Sequence, residues 1–314
     1  MTPDYALYYR RLIVSGNIEN ELPEFDLLIS AFNSSERVSQ VFDRVRAKRK
    51  VWMIHPEYCY AEEELPEGMK AVPSEANEVA QVEVLLECVG ELAEGASICI
   101  DITGFMRNVL MFLVAKLEYL GKREFVALYT EPSAYLRQEE TKFSTTTSGV
   151  VRPVAGLSSS MGNARDAVVL GVGYDHSLIG EVMNNKDGAA MRPIFSFPSL
   201  SPDMYQQSAI RAARSGDKAL ADEWVSSRRF APANDPFATA QVVSSVIREL
   251  DALSQWNVYL APLATKVQAL GFVLYWLLEG RRRPATSILL PECTTYARET
   301  SVGIKRLWAF TVEV

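Results

Sequence analysis

Short apolar runs alternate with segments of helical periodicity along most of this chain. An apolar run of roughly four to eight residues, bounded by Pro, Gly, Asn or Ser, predicts a buried strand. In the first half, the predicted strands are Phe25–Phe32, Lys50–Ile54, Ser97–Ile102 and Glu124–Tyr129. In the second half, they are Asp166–Val172, Arg192–Phe197, Asn257–Ala261 and Thr286–Leu290, with a closing β segment at Gly303–Val314.

Between these runs, apolar residues recur three and four positions apart, which is typical of amphipathic helices. Val38, Val41, Phe42 and Val45 share one helical face, and Ser34 or Ser35 could cap that helix. The other predicted helices are Glu75–Val89, Phe105–Leu120, a helix from Asp203, Pro236–Leu253 and Lys266–Leu278.

The two halves repeat one plan. Strands that alternate with helices at this spacing predict βαβ units and mainly parallel sheets covered on both faces. Ser97–Leu110 corresponds to Asn257–Leu270, and Asp26 corresponds to Asp166. We therefore predict an α/β protein of two tandem Rossmann-like lobes related by internal duplication. The expected lobes are residues 1–145 and 165–314, joined by a Ser/Thr/Gly-rich linker or hairpin at 146–164.

Composition limits the functional classes. The formal net charge of −7 argues against an extended nucleic-acid surface. With two histidines and four scattered cysteines, no metal centre and no disulfide framework are expected, and no motif assigns a cofactor. Neither a signal-peptide pattern at the amino terminus nor a membrane-length apolar run is present, so we expect a soluble cytoplasmic protein.

Ligands of open parallel sheets bind beyond the carboxyl ends of the strands, so polar residues after predicted strands are candidates. Asp101-Ile-Thr103-Gly104 follows one strand, and its glycine would permit close approach of a ligand to the backbone. The next helix would offer N–H groups to an anion, with Arg107 one turn in. The same residues would also suit a plain strand-to-helix turn in which Asp101 and Thr103 only act as caps.

The matching turn of the second half carries Thr265 and Lys266. A lysine at a helix start is disfavoured by the helix dipole unless an anion or a carboxylate is near. A ligand is one explanation, and pairing with Glu292 or solvent exposure is the other. Tyr135 and Tyr296 close the equivalent loops and could stack on bases.

No established catalytic motif is present. If the protein is an enzyme, Glu131 or Asp235 would be the acid–base group, and Glu57 or His176 would assist. Asp175, beside His176, is more readily explained as a helix cap.

The strand, Asp101-Ile-Thr103-Gly104 and the following helix resemble the ligand-binding turn of CARF domains, the CRISPR-associated Rossmann-fold sensors. Those domains often continue into Thr-Lys, whereas Phe105-Met106 follows here and the Thr-Lys pair is Thr265-Lys266 in the second half. Two such units in one chain are similar to SAVED domains. The resemblance implies binding of an oligonucleotide second messenger between the halves, in bacterial antiviral signalling, with any effector on a separate protein.

The first hypothesis is therefore a sensor or accessory subunit that binds a phosphorylated, nucleotide-derived ligand between two pseudo-symmetric lobes. The binding residues would be Asp101, Thr103, Gly104, Arg107, Tyr135, Thr265, Lys266 and Tyr296. The alternatives are a nucleotide or nucleoside hydrolase or transferase, and a non-catalytic subunit of a multi-protein complex.

Overall fold

The structure is a computed structural model that describes residues 3–135, 144–160, 162, 165–201, 204–214, 222–298 and 301–314. Its internal contacts divide the chain into two compact units. The seven-stranded unit comprises Tyr8–Thr146 and Cys293–Val314, and the six-stranded unit comprises Met1–Leu7 and Thr147–Glu292.

Strands and helices alternate as the apolar pattern predicts. The strands are β1 Arg10–Ile13, β2 Phe25–Ala31, β3 Ala47–Met53, β4 Lys70–Ala71, β5 Ile98–Asp101, β6 Glu124–Tyr135, β7 Ser144–Ser158, β8 Asp166–Val172, β9 Ala190–Ser196, β10 Arg229–Ala231, β11 Asn257–Pro262, β12 Thr286–Tyr296 and β13 Ser301–Glu313. The helices are α1 Ile18–Glu21, α2 Glu36–Arg44, α3 Glu78–Val89, α4 Arg107–Tyr119, α5 His176–Asn185, α6 Met204–Arg214, α7 Asp222–Ser227, α8 Pro236–Leu253 and α9 Lys266–Leu278.

The two sheets share one strand order. The first runs β1-β13-β6-β5-β2-β3-β4, and the second runs β7-β12-β11-β8-β9-β10. Without the additional edge strand β1, the two orders correspond strand for strand. In the first sheet β2 to β6 pair in parallel, and in the second β8 to β12 do. The predicted α/β fold with two mainly parallel, Rossmann-like sheets is confirmed, and β5 corresponds to β11 as the sequence repeat indicates.

The chain passes from one sheet to the other twice. Each time, the first strand after the crossing lies beside the outermost of the parallel strands in the sheet that it joins. β6 is followed by β7, which belongs to the six-stranded sheet, and β12 is followed by β13, which belongs to the seven-stranded sheet. β13 pairs antiparallel to β6 over most of its length. Residues 293–314 therefore complete the first sheet rather than the second, although the sequence repeat assigned them to the second half.

The segment expected to be a linker or hairpin at 146–164 is instead largely occupied by β7. Its β-branched residues give strand propensity, and pairing with β12 gives its backbone hydrogen-bond partners. Val154 and Leu157 are both buried although they lie three residues apart. Gly156, with a φ of 70°, lies between them, and a glycine readily adopts this left-handed conformation.

The cores lie on both faces of the central strands. Leu27, Leu28 and Ile29 of β2 are successive residues and all are buried, as expected for a parallel strand covered by helices on both sides. In the six-stranded unit, α9 is buried from Val267 to Leu277 and packs against α8. None of the described helices combines the length and the apolar character needed to cross a membrane.

Candidate functional site

The strand order reverses at one point in each sheet. In the seven-stranded sheet, the chain goes from β2 outward through β3 to β4 and returns to the other side of β2 with β5. The equivalent reversal in the six-stranded sheet lies between β8 and β11. Such a switch point separates the loops on either side and forms the usual ligand crevice of an open α/β sheet. The predicted turns 101–107 and 263–266 follow β5 and β11, so each borders a switch point.

Asp101 and Thr103 are buried side chains that hold the β5–α4 turn together. Ser30 Oγ donates to Asp101 Oδ2 at 3.0 Å, and the Thr103 amide donates to Asp101 Oδ1 at 3.0 Å. Thr103 Oγ1 accepts from the Thr130 amide at 3.0 Å. Burial raises the pKa of Asp101, while hydrogen bonds from Thr103 and Ser30 oppose that increase. These contacts give both residues a scaffolding role in the turn.

No residue larger than glycine fits at position 104 without a shift, because the end of β2 lies directly against it. A Cβ at this position would lie 1.9 Å from the carbonyl oxygen of Ala31, at the end of β2. The six-stranded unit shows the same close approach, since a Cβ on Gly173 would lie 2.0 Å from the Leu263 carbonyl oxygen. The glycine that the sequence suggested for ligand approach therefore lets two strand ends meet at the switch point.

The helices that begin at the switch point of the seven-stranded sheet lack side-chain caps within the described chain. Ser35 precedes α2 and Met106 precedes α4, and neither side chain bonds to the helix that follows. In the six-stranded unit, by contrast, Asp175 caps α5 and Thr265 caps α9. The first N–H groups of α2 and α4 thus remain outside any side-chain cap, where they favour an anion.

Arg37 is a buried cation that the sequence analysis missed. It lies in the first turn of α2 with 7% of its surface exposed, and it donates through Nη1 to the Thr130 carbonyl oxygen. Its Nε is buried without a hydrogen-bond partner among the described residues, as are Thr130 Oγ1 and Ser301 Oγ. A buried guanidinium with an unpaired donor is costly, so these atoms need a partner. The sequence signal was an arginine at a helix start, which is the misfit that singled out Lys266.

Arg107, the first residue of α4, lies near the same place. It is half-buried. Burial raises the pKa of Tyr129 in the middle of β6, and the charge of Glu131 adds to that increase, whereas the positive charges of Arg37 and Arg107 lower the pKa. Two arginines therefore act on one phenol near the carboxyl edge of the parallel strands.

Tyrosines cover one side of this edge. Tyr296 stands edge-on to Tyr58, with ring centroids 6.4 Å apart, and Tyr58 lies 5.8 Å from Tyr60. Burial, followed by Cys293, raises the pKa of Tyr296 well above its usual range. Arg298 joins this group, because its guanidinium lies 4.5 Å from the Tyr60 ring. The predicted Tyr296 is thus part of an aromatic cluster, whereas the side chain of Tyr135, the last residue of β6, lies outside the described residues.

Glu131 and Glu57 are both buried at the seven-stranded unit. Glu131 accepts a 2.6 Å hydrogen bond from Trp308 Nε1, and Arg306 Nη1 lies 3.7 Å from its other oxygen. Glu57 accepts from Gln81 Nε2 at 3.0 Å, and burial raises its pKa to about 7. Glu131 is therefore engaged by groups of its own unit, whereas Glu57 is engaged through Oε1 and its Oε2 is buried without a hydrogen-bond partner among the described residues.

The remaining candidates lie in the six-stranded unit. Thr265 Oγ1 accepts from the backbone N–H of Gln268 at 3.1 Å and donates to the backbone carbonyl oxygen of Ala233 at 2.7 Å. Asp235 caps α8 by accepting from Phe237 N and Ala238 N, both at 3.0 Å. Lys266 and His176 are half-buried first residues of α9 and α5. Thr265 and Asp235 are thus occupied by helix capping.

The candidates therefore separate by unit. The seven-stranded unit contains Asp101, Thr103, Gly104, Arg107, Glu57, Glu131 and Tyr296, and the six-stranded unit contains Thr265, Lys266, Asp235 and His176. No group of three or more His, Cys, Asp or Glu side chains suited to a metal ion occurs among the residues that the structure describes.

Comparison with known proteins adds no relative. No protein-family model matches the chain, and no curated protein gives a significant match.

Proposed function

We propose that this protein binds a phosphorylated, nucleotide-derived small molecule at the carboxyl edge of the seven-stranded sheet, between β2 and β5. The observation that carries the proposal is Arg37, a buried guanidinium at the switch point with an unpaired Nε. A phosphoryl oxygen would supply the acceptor that this donor lacks, and charge-assisted bonds of this kind are among the strongest in proteins.

The surroundings of Arg37 favour an anion over a neutral ligand. The amino-terminal ends of α2 and α4 both meet this edge without side-chain caps in the described chain. Arg107 adds a second positive charge. Helix termini and arginines together form a common type of phosphate site.

A base or nucleoside attached to the phosphate would account for the aromatic side of the edge. The Tyr58 ring contacts the rings of both Tyr60 and Tyr296, and Tyr60 and Tyr296 are half-buried. Half-buried tyrosines offer apolar faces for stacking while their hydroxyls stay hydrogen-bonded. This feature favours a nucleotide over inorganic phosphate as the physiological ligand.

The proposed role as a sensor or accessory subunit in bacterial antiviral defence rests on the resemblance of Asp101-Ile-Thr103-Gly104 to the CARF turn. Asp101 and Thr103 would support the turn, and Arg37 and Arg107 would contact the ligand. A linear or cyclic oligonucleotide is the ligand class that this role requires.

Calorimetric titration tests the binding proposal. The panel is inorganic phosphate, AMP, ATP and cyclic di-, tri- and tetra-adenylate. We expect at least one nucleotide to bind, and Arg37→Gln to weaken it roughly ten- to a hundredfold, because a bond to a charged group is lost. Arg44→Gln is the matched control, since Arg44 lies in the last turn of the same helix and pairs with Glu19 at 2.7 Å.

Two results would contradict the proposal. One is the absence of binding by every member of the panel. The other is unchanged affinity in Arg37→Gln when circular dichroism and thermal unfolding show that the variant is folded.

A further inference from the structure

A chain of buried polar side chains runs beneath the β5–α4 turn. The Met106 amide donates to His55 Nε2 at 3.2 Å, and His55 Nδ1 lies 2.7 Å from Gln81 Oε1. Gln81 Nε2 then donates to Glu57 Oε1 at 3.0 Å. The four residues come from the segment after β3, the β5–α4 turn and α3, so this series of hydrogen bonds links three parts of the unit.

The direction of these bonds fixes the protonation state of His55. A backbone N–H can only donate, so Nε2 must be an acceptor and carries no proton. In a neutral ring the proton then lies on Nδ1, which faces an oxygen of Gln81. That orientation of the amide in turn directs its NH₂ group to Glu57, which is the arrangement observed.

We infer that His55 is a positioning residue: as a neutral imidazole protonated on Nδ1, it holds the Met106 amide and thereby fixes the amino-terminal end of α4. Met106 is the residue that precedes α4, so its backbone sets the direction of the first helical N–H groups. This consequence for ligand binding rests on the proposed function, whereas the protonation state does not.

Protonation of His55 would oppose this arrangement. An imidazolium donates from both nitrogens, so Nε2 would face the Met106 N–H as donor against donor. The hydrogen bond would be lost, and the turn would have to move. We therefore expect anion binding to weaken as the pH falls through the protonation midpoint of His55.

The titratable groups around His55 come from neighbouring elements. Glu57 is reached through Gln81, and Glu78 on α3 is buried and accepts from Asn108 Nδ2 at 3.2 Å. The Tyr58 ring centroid lies 6.2 Å from that of His55. On another side the ring meets Phe105 edge-on at 5.6 Å.

Nuclear magnetic resonance measures the protonation state directly. The chain has two histidines, so long-range proton–nitrogen correlation spectra contain two ring systems, and His176→Gln assigns them. At pH 7 we expect the His55 ring to show a proton on Nδ1 and a bare Nε2. A ring protonated on Nε2, or on both nitrogens, at pH 7 would overturn the inference.

Two substitutions test the positioning role with inorganic phosphate as the probe, followed through the amide shifts of Arg107 and Asn108. His55→Gln places an amide oxygen near the position of Nε2, so binding should stay within about twofold, and its acid dependence should fall to the part that comes from the titration of phosphate itself and of Glu57. His55→Leu leaves the Met106 amide without an acceptor and should weaken binding roughly tenfold. Equal binding in both variants, with wild-type pH dependence, would refute the role.

The outcomes separate the two proposals. If His55 shows the Nδ1 proton while neither phosphate nor any nucleotide of the panel shifts the Arg107 amide, the proposed function is wrong and the structural inference is supported. If phosphate binds but the His55 ring carries its proton on Nε2, the binding proposal is supported and the inference is wrong.

Discussion

At the residue scale, some side chains at the turn after β5 hold the turn in place, and others are proposed to bind the ligand. Asp101 and Thr103 accept hydrogen bonds from the Ser30 side chain and from backbone groups of the turn and of β6. Arg37 keeps a donor unpaired within the described residues, and the half-buried Arg107 acts on the same tyrosine, Tyr129. Substitution of a supporting residue should therefore lower stability, whereas substitution of either arginine should lower ligand affinity.

A substitution at Gly104 tests whether the close packing of the turn against β2 contributes to stability. Gly104→Ala would place a methyl group 1.9 Å from the Ala31 carbonyl oxygen, so the end of β2 or the turn must shift. We expect a loss of roughly 1–3 kcal/mol in the free energy of unfolding, measured by urea denaturation. Gly16→Ala is the control, because a Cβ there meets no atom within 4 Å. Equal stability of the two variants would show that the close approach is not a constraint.

Glu57 predicts a dependence of stability on pH. Burial raises its pKa from 4.5 to about 7, so the folded protein binds this proton more tightly than the unfolded chain. Its contribution is therefore fully present below pH 4.5, falls as the pH rises towards 7, and is lost above that. The shift corresponds to about 3 kcal/mol.

Glu57→Gln removes this titration. Relative to the wild type, the variant should become more stable as the pH rises from 4.5 to 7, because only the wild type loses the contribution of Glu57. Above pH 7 the difference in unfolding free energy should stay constant. Urea denaturation at a series of pH values measures it. Asp101, whose pKa burial also raises, is present in both proteins and cancels in the comparison. A difference that is constant across the range would contradict a raised pKa for Glu57.

At the scale of elements, periodicity predicted the central strands and helices, and pairing partners determined the rest. β2, β5, β8 and β11 were found from buried apolar runs, because both faces of these strands are covered. β1, β4, β7 and β10 were missed, since short or edge strands need fewer apolar residues. The same limit applies to the site. The switch-point turns followed from strand order, whereas an arginine at the start of α2 gave only a weak local signal, and its burial against β6 depends on tertiary packing.

β13 shows that a strand from the last part of the sequence can lie inside a sheet, with a neighbour on each side. It lies between β1 and β6, and Phe310 is fully buried. Phe310→Ala should cost roughly 3–5 kcal/mol of unfolding free energy, because it opens a cavity in that core. Val302→Ala in the same strand is the control, since Val302 is 40% exposed. Urea denaturation compares them, and similar losses in both variants would contradict a central role for the strand.

At the scale of the whole molecule, the sequence repeat and the folded units have different boundaries. The repeat divides the chain near its middle, but residues 293–314 complete the seven-stranded sheet and Met1–Leu7 belong to the six-stranded unit. One example is the hydrogen bond from Tyr5 Oη to Glu279 Oε1 at 2.9 Å, which links residues 274 positions apart within the six-stranded unit. The chain therefore forms two similar sheets that are not built from two consecutive segments.

This connectivity predicts how fragments behave. A fragment of residues 1–146 lacks β13, so β1 would have no neighbour and β6 would lose its antiparallel partner. A fragment of residues 147–314 retains most of β7 and all of β8 to β12, so its sheet is nearly complete and β13 has no partner strand. We expect the first fragment alone to be unfolded and the second to be folded apart from β13.

Mixing the two fragments should restore the seven-stranded sheet, because β13 is then supplied in trans. Amide spectra of isotope-labelled residues 1–146 would measure this, with poor dispersion alone and folded dispersion after addition of unlabelled residues 147–314. Residues 147–292, which lack β13, are the matched control and should leave the labelled fragment unfolded. Cooperative folding of residues 1–146 alone would contradict the dependence on β13, as would equal restoration by residues 147–292.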